Sequence, residues 1–140
     1  MKIVFFGVGA VCSVMATLLD ELSNKSKQKD INFVFVVRNI KKAQGHFFKN
    51  SNILNKSDFL EIKHFEEIFE DSKKYEKYLQ NSDIFINSST PSFNLPIMNL
   101  ALKYNTNYAD LASDIYKDEI ISTLKFDQQI LENEFKYQNL

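Results

Sequence analysis

Residues 2–17, KIVFFGVGAVCSVMAT, decide the fold of this chain. The apolar residues 3–6 predict a strand that is buried on both faces, and the glycines in residues 7–9 predict a tight turn. From Ala10 onward the apolar residues recur at helical spacing. A strand, a glycine turn and a helix together present backbone N–H groups to the pyrophosphate of a dinucleotide. The full pattern is Gly-x-Gly-x-x-Gly, and Cys12 stands here in the place of the third glycine.

The composition indicates one globular domain. The chain has 140 residues, of which 44% are hydrophobic and 25% are charged, as in ordinary soluble domains. A net charge of −1 gives no electrostatic reason to expect nucleic acid or an anionic membrane as a partner. A single cysteine allows no internal disulfide bond, so we expect a cytoplasmic protein. No apolar run approaches the ~20 residues that span a bilayer.

Strands and helices alternate along the rest of the chain. We predict strands at residues 32–37, 59–62, 83–87 and 107–111, and helices at 41–48, 65–79, up to 104, and from about 118. Polar connections are expected at 23–30 and 50–56. The first helix should run from Ala10 to about Leu22 and turn an apolar stripe toward the sheet, consisting of Val11, Val14, Met15, Leu18, Leu19 and Leu22.

This alternation predicts an α/β fold, a Rossmann-type doubly wound parallel sheet of about five or six strands with helices on both faces. Such sheets bind ligands at the carboxyl ends of their strands, near the point where the strand order reverses. Those ends are residues 7–9, 38–39, 87–90 and 110–113. We therefore expect any ligand to contact these segments.

The first strand end provides the predicted pyrophosphate site. Gly7 should permit the turn, and Gly9 should let a pyrophosphate approach without a Cβ in its way. Ala10 and Val11 begin a helix whose first N–H groups are free and carry a partial positive charge. The alternative is an ordinary strand–helix turn with no ligand. At Cys12 we favour a small packing residue over a reactive thiolate.

The second strand end predicts the choice of cofactor. An NAD site usually has an acidic residue here, whereas an NADP site has an arginine for the 2′-phosphate. Arg38 is the one arginine among 17 Lys and Arg residues, and arginine can bind phosphate in a bidentate manner. Asn39 follows it, and Lys42 adds charge four residues on. This pattern favours NADP over NAD, the alternative being a solvated pair of surface cations.

The fourth strand end predicts contacts with the ribose and nicotinamide. Its amide and hydroxyl groups can hydrogen-bond sugar and phosphate, and the alternative is a polar loop that a proline ends. The residues concerned are Asn87, Ser88, Ser89, Thr90 and Pro91. No His, Cys or Asp cluster has metal-ligand spacing, so no metal is expected, and no residue can be assigned as catalytic.

Three stretches of the chain resemble the cofactor-binding half of saccharopine dehydrogenase-like oxidoreductases. They are GVGAVCSVMA, VVRNIKKA and DIFINSSTPSFNLPIMNLALKYNTNYADLAS. Within that group, the saccharopine reductases and carboxynorspermidine dehydrogenases are most similar. The third stretch is the most specific, because an Asn, a Pro, an apolar helix and Tyr-x-Asp recur in the family. They correspond to Asn87, Pro91, residues 95–102, Tyr108 and Asp110.

The resemblance implies an NADP-dependent enzyme that reduces an imine formed from a small amine and an aldehyde. By position, Gly7, Gly9, Ala10 and Val11 would hold the pyrophosphate, Arg38 and Lys42 the 2′-phosphate, and residues 87–91 the nicotinamide side. It also implies that residues 1–140 are the N-terminal cofactor domain of a longer enzyme. The catalytic and dimerisation domain of that enzyme, through which a homodimer could form, would lie outside this chain. Residues 1–140 alone should then be inactive.

Two other functions are compatible with the sequence. The first is a stand-alone regulatory module that binds a dinucleotide without catalysis. The second is a short-chain or nucleotide-sugar reductase. Such reductases usually carry a Tyr-x-x-x-Lys pair, and Tyr75, Tyr104 and Tyr116 are all followed at that spacing by another residue. We therefore rank the reductase last.

Overall fold

The computed structural model describes residues 1–26, 30–47 and 51–111. They contain a five-stranded sheet of order β3-β2-β1-β4-β5, in which each neighbouring pair is parallel. The strand order reverses at β1, so the predicted doubly wound α/β fold is confirmed. The strands are Lys2–Phe6 (β1), Asn32–Val37 (β2), Ser57–Glu61 (β3), Ile84–Asn87 (β4) and Asn107–Asp110 (β5).

Helices cover both faces of the sheet. Buried residues of the first three helices pack with Ile3 and Phe5 of β1, and those of the last three pack with Val4 and Phe6. The first group is Ala10–Ser26 (α1), Ile40–Gly45 (α2) and Ser51–Asn55 (α3). The second group is Glu66–Glu70 (α4), Glu76–Leu79 (α5) and Asn94–Tyr104 (α6), with 3₁₀ turns at Ser72–Tyr75 and Pro91–Phe93.

Aromatic side chains fill the core on the α1 side of the sheet. The rings of Phe5 and Phe35 stack with centroids 5.6 Å apart, and those of Phe33 and Phe35 stack at 5.9 Å. All three are at most 1% exposed. Burying one such side chain contributes roughly 1.5–3 kcal/mol, so the uninterrupted apolar runs of β1 and β2 anchor the centre of the sheet.

The strand register brings the predicted site segments together. Phe6 at the end of β1 is level with Val36 of β2 and with Asn87 of β4. The backbone that follows each of these three strands therefore leaves the sheet at the same edge. Residues 7–9, 38–39 and 88–90 meet there, as the sequence predicts.

Several predicted boundaries are wrong. Helix α1 continues to Ser26, past the expected end at Leu22. Residues 51–55, predicted as loop, form α3 because Ile53 is fully buried. The single helix predicted for residues 65–79 is two short helices and a 3₁₀ turn, since Asp71 leaves the helical region with φ −130° and ψ 65°. Phe48 and the helix predicted from residue 118 lie outside the described residues.

The predicted orientation of α1 is also wrong. The large apolar residues Val11, Val14, Leu18 and Leu22 are 53–64% exposed, while Met15 and Leu19 are half-buried. The residues that face the sheet are Cys12, Ala16, Asp20 and Ser23. Small side chains at this contact let the helix axis approach the sheet closely.

None of the helices in the described part of the chain is long and apolar enough to cross a membrane.

Candidate functional site

A cleft of about 550 Å³ opens at the carboxyl edge of the sheet, where the strand order reverses. Its volume lies within the usual range of small-molecule sites, roughly 300–1,000 Å³. We call it the strand-end cleft. Its lining comes from the segments that follow four strands and consists of Gly7, Val8, Gly9, Val37, Arg38, Asn39, Lys42, Ala43, Phe65, Ser88, Ser89 and Thr90.

Gly7 makes the turn after β1. Its φ of +96° is a conformation that L side chains rarely adopt. Its N–H donates to the carbonyl of Val36 at 2.9 Å, and its carbonyl accepts from the Ser88 hydroxyl at 2.7 Å. A Cβ at Gly7 would lie 2.9 Å from the Cβ of Ser89. The turn therefore needs glycine both for its backbone conformation and for the close approach of the loop after β4.

Gly9 leaves an open approach to the start of α1. A Cβ built on Gly9 meets no atom within 4 Å, so no packing within the described residues explains a glycine here. The first intrahelical bond runs from the N–H of Ser13 to the carbonyl of Gly9, at 3.0 Å. The N–H groups of Ala10, Val11 and Cys12 precede that bond and have no intrahelical acceptor. This arrangement can accept an anion beside the glycine turn.

Cys12 is a packing residue, as predicted from the sequence. Its side chain is 1% exposed and faces the sheet. Burial raises the pKa of the thiol from 9.0 to about 12, against the opposing effect of hydrogen bonds with the Ser88 side chain and the Gly9 backbone. A helix start often lowers a cysteine pKa, but here desolvation outweighs that effect.

We expect Cys12 to react slowly with thiol reagents in the folded protein. With a pKa of about 12, the thiolate fraction at pH 8 is on the order of 10⁻⁴, since each pH unit is a factor of ten. A colorimetric disulfide reagent at pH 8 should label it only in guanidinium. Rapid labelling of the native chain would contradict the buried position.

Because the folded-state pKa of Cys12 is raised, the thiol stabilises the fold below pH 9 and loses that contribution as the pH rises toward 12.

The end of β2 presents two cations to the cleft. Arg38 and Lys42 are exposed and line it, and neither forms an ion pair with any residue that the structure describes. Between them Asn39 is the N-cap of α2, because its Oδ1 accepts from the N–H of Lys42 at 2.8 Å. The side chain of Asn39 therefore fixes where Lys42 begins its helical turn, and both cations stay available to an anionic ligand.

Two residues of this region were not identified from the sequence. A carboxylate oxygen of Glu61, at the end of β3, accepts from the N–H of Ile40 at 3.2 Å and so adds a second cap to α2. Phe65 lines the cleft, and its ring meets that of Phe93 edge-on with centroids 5.2 Å apart. In the sequence, this pair is indicated only by two aromatic residues, Phe65 shortly after the third strand and Phe93 shortly after Pro91.

Asn87 organises the loop after β4. Its side chain is 3% exposed, and its Nδ2 donates to Asn94 Oδ1 at 2.6 Å and to the carbonyl of Thr90 at 2.9 Å. Its Oδ1 accepts from the N–H of Ser89 at 3.0 Å and from the Ser89 hydroxyl at 2.7 Å. The loop is thus held in one conformation beside the glycine turn.

Most of the predicted site residues meet in the strand-end cleft. Eight of them line it, namely Gly7, Gly9, Arg38, Asn39, Lys42, Ser88, Ser89 and Thr90. Ala10, Val11, Asn87 and Pro91 adjoin these residues in sequence without lining the cleft, and their contact with a cofactor stays a prediction. Within the described ranges, no three His, Cys, Asp or Glu side chains are placed to hold a metal ion.

The residues present fit a phosphorylated dinucleotide. A positive-φ glycine and an open glycine precede a long helix, and two free cations stand at the next strand end. Ser88, Ser89 and Thr90 of the loop after β4 line the same cleft. Together these groups can accept two separate anionic groups, one at the glycine turn and one at the cations, and can hydrogen-bond a sugar beside the loop after β4.

Comparison with known proteins identifies the family of this chain and a solved structure with a similar fold. The family model described as saccharopine dehydrogenase NADP binding domain matches residues 3–138. Among solved structures, apo histidine-tagged saccharopine dehydrogenase (L-Glu forming) from Saccharomyces cerevisiae matches with a TM-score of 0.58 and 17% sequence identity. The match covers 94% of this chain and 25% of that chain, so this chain spans about a quarter of that relative's length. No curated protein matches the chain.

Proposed function

Because the chain belongs to the family of saccharopine dehydrogenase NADP-binding domains, we propose that the strand-end cleft holds the NADP on which these oxidoreductases depend. NADP is the cofactor of the family. The observation that carries the assignment to this cleft is the pairing of an open glycine turn at α1 with the free cations Arg38 and Lys42.

Each anionic group of the cofactor has a matching set of residues in this proposal. Gly7, Gly9 and the first N–H groups of α1, at Ala10 and Val11, receive the pyrophosphate. Arg38, supported by Lys42, receives the 2′-phosphate, for which a guanidinium offers two parallel N–H donors. The hydroxyl groups of residues 88–90 receive the ribose beside the nicotinamide. Phe65 supplies an apolar part of the cleft wall.

The reaction we propose for the complete enzyme is the reduction of an imine. An amine condenses with an aldehyde and releases water, and the resulting C=N carbon then accepts a hydride while its nitrogen accepts a proton. NADPH supplies the hydride. The residues of this chain bind and orient that cofactor, and residues 1–140 form its N-terminal domain. The substrate and acid–base groups, and the homodimer contact, belong to a further domain.

A binding module without catalysis is the second candidate. Arg38 and Lys42 are the only ionisable side chains among the cleft-lining residues that the structure describes. His64 is exposed and is not among those lining residues. A set of ligand-binding groups without a general acid or base is what a dinucleotide sensor needs.

Cofactor titration and a turnover assay separate these functions. We expect the chain to enhance NADPH fluorescence on binding and to prefer NADPH to NADH. We expect the product of the complete gene to oxidise NADPH only when an amine and an aldehyde are supplied together. Binding without turnover by that product would favour the sensor, and failure to bind NADPH would refute both candidates.

A further inference from the structure

The strand-end cleft has one wall on each side of the sheet. Arg38, Lys42 and Ala43 come from the turn after β2 and from α2, and α2 packs on the α1 side of the sheet through Ala43. Phe65 packs in the core on the opposite, α6 side, and it also lines the cleft. A ligand in the cleft therefore lies between a cationic wall and an aromatic wall.

The fold holds Phe65 in place without a ligand. Phe65 immediately precedes α4, and its carbonyl accepts from the N–H of Ile68 at 3.1 Å. The N–H of the residue before it, His64, donates to Glu67 Oε1 at 3.2 Å. The ring meets that of Phe93 edge-on, and Phe65 is only 6% exposed. Phe65 therefore offers a ligand a preformed apolar contact.

The covalent structure of NADP indicates which part of the cofactor reaches this ring. The adenine ribose carries three substituents, namely the base, the 2′-phosphate and the link to the pyrophosphate. In the proposed function, Arg38 and Lys42 hold the 2′-phosphate, and the turn at Gly7 and Gly9 holds the pyrophosphate. The base is attached to C1′, next to the carbon that carries the 2′-phosphate. Across the cleft from the cations, the wall that remains for the base is Phe65.

The polar side chains of the cleft offer the base few hydrogen bonds. The Oδ1 of Asn39 already caps α2, and the hydroxyl groups of Ser88 and Ser89 donate within the protein. The Thr90 hydroxyl shares a hydrogen bond with that of Ser92. No Asp or Glu is among the cleft-lining residues that the structure describes. The 6-amino group of an adenine therefore meets no carboxylate there.

We propose that Phe65 holds the adenine base of NADP through contact with its ring, and that the cleft does not distinguish a 6-amino from a 6-oxo group on the purine. This inference rests on the proposed function, from which it takes the positions of the two phosphate groups. Contact between aromatic rings stabilises a complex beyond the area that it buries. The base is then selected by its shape and its aromatic surface.

Fragments of the cofactor test which part contacts Phe65. Phe65→Leu keeps an apolar side chain and removes the ring. It should weaken NADPH, NADH and adenosine 2′,5′-bisphosphate by the same factor, roughly 3- to 10-fold, because all three contain adenine. The ratio of NADPH to NADH affinity should stay unchanged, in contrast to a loss of Arg38. Isothermal titration measures each affinity.

Phe69→Leu is the matched control. The Phe69 ring also contacts that of Phe93, with centroids 6.0 Å apart, but Phe69 does not line the cleft. Its loss should leave all three affinities unchanged. If Phe65→Leu weakened NADPH but not adenosine 2′,5′-bisphosphate, the ring would contact the nicotinamide half, and the proposal would be overturned. Unchanged binding of all three ligands by Phe65→Leu would overturn it as well.

The hypoxanthine analogue of NADPH tests the second part of the proposal on the unmodified chain, so this result does not depend on the folding of a variant. The analogue carries a 6-oxo group in place of the 6-amino group and should bind nearly as tightly as NADPH. A hydrogen bond to the amino group would make it weaker by roughly tenfold, and that result would contradict the proposal. Failure of the unmodified chain to bind NADPH would instead refute the proposed function itself.

Discussion

Replacing Gly7 by alanine is expected to destabilise the domain by about 2–4 kcal/mol, the range in which backbone strain and overpacking combine. An alanine must adopt φ +96°, and its Cβ would lie 2.9 Å from Ser89 Cβ and 3.1 Å from Ser89 Cα. The second contact is to backbone, so no rotamer change relieves it. Urea denaturation followed by circular dichroism measures the loss in unfolding free energy, and NADPH binding should be lost with it.

Gly9→Ala is the matched control for that change. Its Cβ meets nothing within 4 Å, so the stability should change by less than about 1 kcal/mol, as at other unstrained sites. Its NADPH affinity should still fall, because in the proposed function the new methyl group faces the pyrophosphate. If both variants were equally stable, the close approach at Gly7 would not constrain the turn. If Gly9→Ala bound NADPH normally, the pyrophosphate would lie elsewhere.

Replacing Arg38 by alanine is expected to weaken NADPH binding by roughly 10- to 100-fold, the equivalent of one charge-assisted hydrogen-bond pair. NADH has no 2′-phosphate, so its affinity should change little, and the preference for NADPH should disappear. Arg38→Lys should restore part of the affinity, since lysine keeps the charge but not the paired donors. Isothermal titration of the unmodified chain and both variants with each cofactor gives the six affinities directly.

Lys41→Ala provides the control for charge alone. Lys41 is exposed on the same helix as Lys42 but does not line the cleft, so its loss should leave the NADPH to NADH ratio unchanged. Equal losses for Arg38→Ala and Lys41→Ala would mean that only the general positive potential matters. Equal affinity of the unmodified chain for both cofactors would contradict the role given to Arg38.

The sheet and the segments of the cleft could be predicted because their signals are local. An uninterrupted apolar run identifies a strand covered on both faces wherever it occurs, as in β1 and β2. The glycine turn and the solitary Arg38 follow such runs immediately. Parallel strands bring their carboxyl ends to one edge, so locating the strands was enough to bring these residues together.

The orientation of α1 could not be predicted from hydrophobicity. The face that packs on the sheet carries Cys12, Ala16, Asp20 and Ser23, which are small or polar, and Asp20 is buried with Lys56 as its partner. Close approach of the helix matters more there than apolar area. The burial of Asn87 could not be predicted from hydrophobicity either. Its side chain bonds to Asn94 on the next helix, and only the folded structure brings these two side chains together.

The bonds of Asn87 have a consequence for the kinetics of cofactor capture. They fix the loop of Ser88, Ser89 and Thr90 within the protein alone, and the Ser88 hydroxyl ties that loop to Gly7. One wall of the cleft is therefore preorganised before any encounter, and little conformational entropy remains to be lost there on binding. Association can then proceed as a single diffusional step without a slow closing phase at this loop.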